Sequence, residues 1–335
     1  MNGKRWAALG IAAALFVVSV FTSFASSILS GNFQTFMDEF IVPAKPYVEE
    51  VVEEGNSFNR IAVLELNGII QDSGNTSTLL QSETYNHRLF MDQLEYAKED
   101  TSIKGIILRV NTPGGGVVES AEIHDKIVEI MEEAKKPVYI SMGSMAASGG
   151  YYIAAPAEKI FAAPNTLTGS LGVIMQNVNY KELADKIGID YVTIKSGPYK
   201  DIMSQTREMT EEERDILYSM LNNTYEGFVK VISEGRGMSE EEVRRIADGR
   251  VYDGIQAKEL NLIDDFGYLQ DVIKQMKKDY KLNNAQVVRF TEYAGFSSLF
   301  SLGAQKMMGN DLQLTNFVNA LSEPNSPRLM YLYTE

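Results

Sequence analysis

The sequence predicts an α/β fold built around a parallel sheet. From about residue 60 onward, short apolar runs alternate with amphipathic stretches of helical period. Strand, helix, strand in this order implies parallel pairing, because parallel neighbours need a crossover connection, usually a helix. The 335 residues are 44% apolar, enough to bury a substantial core.

The individual elements follow from periodicity and flanking turn residues. Buried strands are predicted at 61–68, 105–111, 137–143, 159–163, 171–175 and 190–196. Helices are predicted at 87–98, 117–134, 148–155 and 181–187. After Met209 the pattern becomes strongly helical, and Thr210 followed by Glu213 three residues later predicts a capping box. Ser239 is predicted to cap a second helix in the same region.

Composition excludes several classes of function. The excess of 45 Asp and Glu over 31 Lys and Arg gives a net charge of −14, which disfavours nucleic-acid binding. Cysteine is absent from the sequence, which excludes disulfides, thiol nucleophiles and cysteine-based zinc sites. His87 and His124 are the only histidines, so a histidine-rich metal site is not expected. No metal or organic cofactor is implied.

The N-terminus predicts a membrane anchor. Lys4 and Arg5 precede an uncharged run whose apolar part ends near residue 29, long enough to cross a bilayer. Basic residues before it and acidic ones after it place the N-terminus inside. A cleaved signal peptide with its site at 23–25 is the alternative, but the run exceeds a usual signal-peptide core. We therefore favour a retained anchor.

Three glycine-rich segments, 111–120, 143–152 and 165–173, each follow a predicted strand. Glycines in such places leave backbone N–H groups free to bind an anion, either a phosphate or the oxyanion of acyl transfer. The string NTPGGG matches neither dinucleotide-binding nor P-loop spacing, so the phosphate interpretation is weak.

The second segment, GSMAASGGYY, contains the candidate nucleophile. Ser148 stands before Gly149 at the predicted start of a helix, where its Oγ would be exposed beside a free amide. The alternative is a helix N-cap, the commonest role for serine at such a position. Ser144 lies in the same loop, nearer the strand end. Spacing alone favours the N-cap interpretation.

The choice depends on a base. No histidine lies within 171–180, the stretch about one strand after Ser148 where a histidine base would be sought. His87 and His124 lie elsewhere and are both interpreted as structural. A lysine base must be neutral, which requires its pKa to fall by roughly 3 units through burial. Lys195 and Lys200 flank a Gly-Pro turn at a strand end, and the residues alone do not choose between them. The other downstream candidates are predicted to be solvated: Lys159, Lys181 and Lys186.

Hydroxyl groups near the turn could orient such an amine. Ser170 and Thr168 lie in the third glycine-rich segment and are the candidates for this role.

The string SMGSMAASGGYYIAAPAEKIFAAPNTLTGSLGVI, with NTPGGG before it and SGPYKDI after it, resembles the signal peptide peptidase A family. The resemblance covers about residues 61–269 and includes the anchor. It implies a crotonase/ClpP-like α/β domain of strand-strand-helix units with a parallel sheet, preceded by one transmembrane helix. Thr112 replaces a serine that the family usually has, a departure that touches neither expected oxyanion amide.

The resemblance assigns roles to single residues. It implies that Ser148 is the nucleophile of an S-G-G motif and Lys200 the general base of an S-G-x-x-K motif. It further implies that Gly115 and Gly149 provide the oxyanion-hole amides and that Ser170 positions the lysine.

The same resemblance implies a serine endopeptidase with a Ser–Lys dyad that degrades remnant signal peptides. Such an enzyme would sit outside the bacterial cell membrane on a single-pass anchor and assemble as a homo-oligomeric ring or dome. Two alternatives remain: a crotonase-like acyl-CoA enzyme, and a non-catalytic membrane-tethered scaffold. The expected segments are a cytoplasmic tip at 1–5, an anchor at 6–29, a linker at 30–58, a peptidase domain at 59–290 and an extension at 291–335.

The C-terminal string SPRLMYLYTE raises a separate hypothesis. Its apolar residues 329–333 resemble a signal-peptide fragment and could occupy a substrate groove of the same or a neighbouring copy. A simple strand or a core-packing terminus is an equally good interpretation.

Overall fold

The computed structural model describes residues 5, 10–12, 14–16, 18–19, 47–72, 85–292 and 329–333. It divides the chain into two units, 1–48 and 49–335. The described positions between 5 and 19 are helical. In the described residues, no helix has both the length and the apolar character needed to cross a membrane. The predicted anchor at 6–29 lies largely outside them.

The described secondary structure consists of strands and helices in alternation. The strands are β1 Tyr47–Glu53, β2 Asn56–Asn67, β3 Ile103–Thr112, β4 Gly114–Gly116, β5 Val138–Ala147, β6 Lys159–Ala162, β7 Leu167–Gly169, β8 Val251–Tyr252, β9 Asp265–Phe266, β10 Ala285–Glu292 and β11 Met330–Leu332. The helices of the second unit are α1 His87–Glu99, α2 Val117–Glu132, α3 Gly149–Ala154, α4 Lys181–Ile187, α5 Glu211–Arg236, α6 Glu240–Ile246, α7 Gly254–Glu259 and α8 Leu269–Asp279.

The main sheet has the strand order β1-β10-β2-β3-β5-β6-β9. The pairs β10–β2, β2–β3, β3–β5, β5–β6 and β6–β9 are all parallel. Strand β7 pairs in parallel with the carboxyl end of β5, and β8 pairs antiparallel with β7. A separate antiparallel pair joins β4 and β11. The predicted α/β fold with a largely parallel sheet is confirmed.

The apolar runs form central strands because both faces of the sheet are covered. Ile61, Val63 and Ile107 belong to one buried cluster. On one side, α8 adds Val272, Ile273 and Met276 to that cluster. Helix α2 buries its own stripe, Ile123, Ile127 and Ile130.

Two predicted strands are wrong in the single chain. Residues 190–196 have no strand partner, and Val192 and Ile194 are 87% and 96% exposed. Residues 171–175 contribute only one bridge, between Ile174 and the C-terminal segment. Apolar alternation predicts a strand, but the strand forms only where another backbone completes its hydrogen bonds. The expected linker at 30–58 also contains β1 and the start of β2, so part of it belongs to the sheet.

The predicted capping box at α5 is present. The Thr210 hydroxyl accepts from the Glu213 backbone N–H at 3.2 Å, and the Glu213 carboxylate accepts from the Thr210 N–H at 3.0 Å. Arg207 also donates to Glu213 and to Asp201, which ties the loop after Lys200 to the helix start. The Arg207 guanidinium, followed by the Thr210 N–H, holds the pKa of Glu213 at about 2, below its usual 4.5.

Glu213→Gln should therefore destabilise the protein at neutral pH by about 2 kcal/mol, the size of a lost charge-assisted hydrogen bond. A lowered pKa means that this stabilisation is complete above pH 4.5 and is lost as the pH falls toward about 2. Urea unfolding followed by circular dichroism at about pH 7 and about pH 3 measures it. The difference in unfolding free energy between the variant and the parent should be smaller at the lower pH. The control is Glu211→Gln, at an exposed carboxylate in the same turn. It should leave the unfolding free energy unchanged at both pH values.

Candidate active site

Ser148 lies at the junction between the carboxyl end of β5 and the start of α3. Its backbone N–H donates to the Gly169 carbonyl of β7 at 2.8 Å, which continues the β5–β7 ladder. The residue has φ 53° and ψ −113°, a conformation that side chains rarely adopt. Its side chain makes no cap hydrogen bond, so the N-cap interpretation does not hold. A strained serine between strand and helix is typical of a nucleophile held for attack.

The glycine strand β4 lies beside this serine and is held on one side by Ile70. The Ile70 N–H donates to the Gly114 carbonyl at 2.9 Å, and the Gly116 N–H donates to the Ile70 carbonyl at 2.7 Å. Because backbone groups alternate along a strand, the N–H and C=O of Gly115 point to the opposite side. A β-carbon on Gly115 would lie 1.9 Å from the Ile70 oxygen, so only glycine fits there.

Thr112 shapes the same turn. Its hydroxyl oxygen accepts from the Gly114 N–H at 3.0 Å and lies 3.2 Å from the Gly114 carbonyl oxygen. Its methyl carbon would lie 2.6 Å from a β-carbon on Gly150, so it also packs against α3. Thr112, which replaces the serine usual in the family, therefore helps to position both glycine-rich segments.

The side of β4 opposite Ile70 is occupied by the C-terminal strand β11. The pairing is antiparallel, with Met330 opposite Gly116 and Tyr331 opposite Gly115. On the other edge of β11, Met330 and Ile174 exchange both backbone hydrogen bonds, at 3.0 and 3.1 Å. The C-terminal segment thus lies as an extended peptide between two backbone edges, which is the β-augmentation mode of peptide binding.

The Tyr331 carbonyl oxygen lies against the predicted oxyanion amides. A β-carbon built on Gly114 would lie 2.0 Å from this oxygen and 2.7 Å from the Gly149 nitrogen. One built on Gly149 would lie 3.1 Å from the same oxygen and 3.2 Å from the Gly115 nitrogen. The bound strand therefore brings a peptide carbonyl next to Gly115 and Gly149, while Ser148 is only 1% exposed.

The Tyr331 side chain fills an aromatic pocket formed by His124, Tyr152 and Phe228. Its ring stacks on Tyr152 at a centroid distance of 4.8 Å and lies 4.6 Å from Phe228. His124 packs on Tyr152 at 5.3 Å, and the Tyr331 hydroxyl donates to the Thr224 carbonyl at 3.2 Å. Burial raises the pKa of the Tyr331 hydroxyl, so it stays neutral in the pocket.

The two hydroxyls predicted to orient a lysine differ in their surroundings. Ser170 has φ 49° and lines a cavity of about 450 Å³ whose wall also includes Leu332 and Tyr333. Thr168 is fully buried in β7, and its hydroxyl donates to the Ala146 carbonyl at 2.6 Å. The Thr168 hydroxyl therefore stabilises the β5–β7 junction, whereas Ser170 is buried in the cavity wall.

The two candidate lysines also differ. The Lys195 ammonium pairs with Asp201 at 2.6 Å and donates to the Pro198 carbonyl at 2.9 Å, so it is already held by partners other than Ser148. Lys200 is exposed, and its ammonium makes neither an ion pair nor a hydrogen bond within the described residues. The structure thus disfavours Lys195 as a base, and it does not join Lys200 to Ser148 within one copy.

Comparison with known proteins identifies the family to which the chain belongs. Residues 130–283 match the profile of peptidase family S49, and residues 75–172 match that of Clp protease. The chain is 38% identical to a putative signal peptide peptidase SppA of Enterococcus faecium over 99% of both proteins. The chain belongs to peptidase family S49.

Two further relatives support this assignment. The chain is 30% identical to Protease 4 of Haemophilus influenzae, over 84% of this chain and 48% of that protein. It is 32% identical to a chloroplastic serine protease, SPPA, of Arabidopsis thaliana, over 56% and 28% respectively. The S49 chain is thus a serine peptidase, and neither an acyl-CoA enzyme nor a non-catalytic scaffold.

In this S49 peptidase, several of the residues predicted from the sequence lie close together, beside others that the sequence did not indicate. The described fold places Ser148, Gly115, Gly149 and Ser170 around the end of β5. Tyr152 lies inside the GSMAASGGYY string, yet its pocket depends on Phe228 of α5, 76 residues further along the chain, and carries no local signal. Other contacts that sequence analysis missed are those of Ile70, Thr112 and Ser120.

Proposed function

We propose that this S49 peptidase is a membrane-tethered serine endopeptidase that uses a Ser148–Lys200 dyad to degrade remnant signal peptides. The observation that carries the proposal is strand β11, an apolar segment bound in extended form beside Ser148 with a carbonyl against Gly115 and Gly149. A groove that holds one apolar peptide by backbone hydrogen bonds can hold others.

The reaction follows from these positions. Ser148 Oγ attacks the peptide carbonyl carbon while neutral Lys200 takes the hydroxyl proton. The amides of Gly115 and Gly149 donate to the resulting oxyanion. Collapse breaks the C–N bond as Lys200 returns the proton to the leaving amine. Water then attacks the acyl-serine while Lys200 takes one of its protons, and Lys200 gives that proton to Ser148 Oγ as the C–O bond breaks, which releases the carboxylic acid and restores both groups.

The walls of the groove support apolar substrates. The aromatic pocket takes the Tyr331 side chain to 2% exposure, and the cavity beside Ser170 offers space for another side chain. Remnant signal peptides are rich in such side chains, and the putative SppA of Enterococcus faecium carries this substrate in its name. An anchor at 6–29 would hold the groove near the membrane into which these peptides are released.

We further propose that the functional form is a homo-oligomer. Lys200 needs burial to act as a neutral base, and in one copy it is exposed. The segment just before it exposes Ile189, Val192 and Ile194, an apolar surface that a second copy can cover. Contact between copies would bury both the apolar segment and the lysine that follows it.

Removal of the C-terminal strand tests the groove assignment. A chain lacking residues 329–335 should hydrolyse a short internally quenched apolar peptide with a several-fold lower apparent KM than the full chain. The tethered strand competes with substrate at an effective concentration of roughly millimolar, whereas kcat depends on groups that the deletion leaves in place. Initial rates from fluorescence give both constants.

A matched point variant separates occupancy from folding. Tyr331→Ser empties the aromatic pocket but keeps the backbone strand, so its KM should lie between those of the full and truncated chains. An unchanged or higher KM on truncation would show that the segment does not occupy the substrate groove. Absence of peptide hydrolysis by both chains would reject the proposed function itself.

A further inference from the structure

Ser120 has an unusual environment in the first turns of α2. It is 0% exposed, and its Oγ has no hydrogen-bond partner among the described residues. A serine inside a helix normally points to water or bonds back to the carbonyl four residues earlier. Ser120 does neither, and an unsatisfied buried hydroxyl costs folding free energy. Alanine at this position would avoid that cost. The hydroxyl therefore has no stabilising function in the folded protein, and a function during the reaction would explain its presence.

The direction of the hydroxyl indicates that role. A β-carbon on Gly149 would lie 2.7 Å from the Ser120 Oγ. The same point is 3.2 Å from the Gly115 nitrogen and 3.1 Å from the Tyr331 carbonyl oxygen. The free hydroxyl therefore borders the small space where a peptide carbonyl meets the two oxyanion amides. Unlike those amides, it comes from α2 and can rotate about its C–O bond.

We propose that the Ser120 hydroxyl is a third hydrogen-bond donor to the oxyanion, beside the amides of Gly115 and Gly149. This inference rests on the proposed function. With the strand bound as a planar peptide, the hydroxyl makes no bond to the carbonyl. When the carbonyl carbon becomes tetrahedral, its oxygen moves and gains negative charge, and the hydroxyl then donates to it. An interaction made only in the transition state raises kcat without lowering KM.

The test is Ser120→Ala in the full chain, assayed with the quenched peptide. We expect kcat to fall by about a hundred- to a thousandfold with KM unchanged, as for loss of one oxyanion donor. The thermal midpoint should rise, because an unsatisfied buried hydroxyl is removed. A peptide boronic acid, which forms a tetrahedral adduct with the nucleophile, should bind more weakly by a similar factor. A free peptide with the sequence of residues 329–335 should bind as before.

Ser141→Ala is the matched control. Ser141 is equally buried on β5, but its Oγ accepts from the Arg109 guanidinium at 2.9 Å. That variant should lose thermal stability and keep kcat. Ser120→Ala should therefore raise the thermal midpoint and lower kcat, whereas Ser141→Ala should lower the thermal midpoint and leave kcat unchanged.

Two results would overturn the inference. A Ser120→Ala chain with unchanged kcat and boronate affinity would show that the hydroxyl only fills space. A fall in its thermal midpoint would show that the hydroxyl is satisfied in the resting protein. If the wild-type chain neither hydrolyses the peptide nor binds the boronate, the proposed function fails instead, and the two failures are thereby distinguished.

Discussion

Ser148→Ala is expected to reduce peptide hydrolysis by about 10⁴-fold or more while the chain remains folded. The residual rate would come from the groove and the proposed oxyanion amides, which the change leaves in place. The serine Oγ makes no cap hydrogen bond, so its removal should leave α3 unchanged. The quenched-peptide assay measures the rate, and circular dichroism checks the fold.

Ser144→Ala provides the control from the same loop. Ser144 is exposed at the end of β5, so its loss should change kcat by less than about twofold, within the range of surface substitutions. Ser148→Gly adds a structural check, because glycine tolerates φ 53° and should be more stable than the alanine variant. Hydrolysis retained in Ser148→Ala, or lost in Ser144→Ala, would contradict the assignment of the nucleophile.

Lys200→Met should lower kcat by about 10³-fold or more, since serine at neutral pH needs a base to become a nucleophile. Methionine retains an unbranched apolar side chain of nearly the same length and removes the amine. Exposure of Lys200 in the single copy means that the fold of the chain should not change. Rates and unfolding midpoints for the variant and parent test both parts of this expectation.

Lys195→Met tests which of the two lysines is the base, a choice that the sequence left open. It breaks the ion pair with Asp201 and should cost little activity. If Lys195→Met abolished hydrolysis and Lys200→Met did not, the base would be Lys195. A mixture of Ser148→Ala and Lys200→Met chains also shows whether the dyad joins neighbouring copies. Recovered activity after dissociation and reassembly would require Ser148 and Lys200 to meet across an interface.

The central elements could be predicted because their signals are local. Apolar runs marked β2, β3, β5 and β6 within a few residues of their ends, and helical periodicity marked α1, α2 and α4. The Thr210 and Ser239 capping boxes need only residues three apart, and both are present. Buried parallel strands are long and apolar on both faces, so their pattern survives in the sequence alone.

The short elements around the site could not be predicted in this way. Strand β4 is three glycines, which have low strand propensity and pair with Ile70 and Tyr331 from distant parts of the chain. Residues 190–196 carry a strand pattern, yet no neighbouring strand is available to them in one copy. A strand exists only when a partner satisfies its backbone, and local pattern does not identify that partner.

The sequence by itself determined the α/β class, the positions of the central strands along the chain, and the candidates Ser148, Gly149 and Ser170, and the family resemblance added Gly115. It also reduced the base to a lysine, because neither histidine lies where a triad would need one. Only the tertiary structure decided that Ser148 is strained and uncapped, that β11 lies in the groove, and that Ser120 holds a free hydroxyl. These features depend on contacts between residues up to about 200 apart, whereas sequence patterns report only neighbours within a few turns of helix or strand.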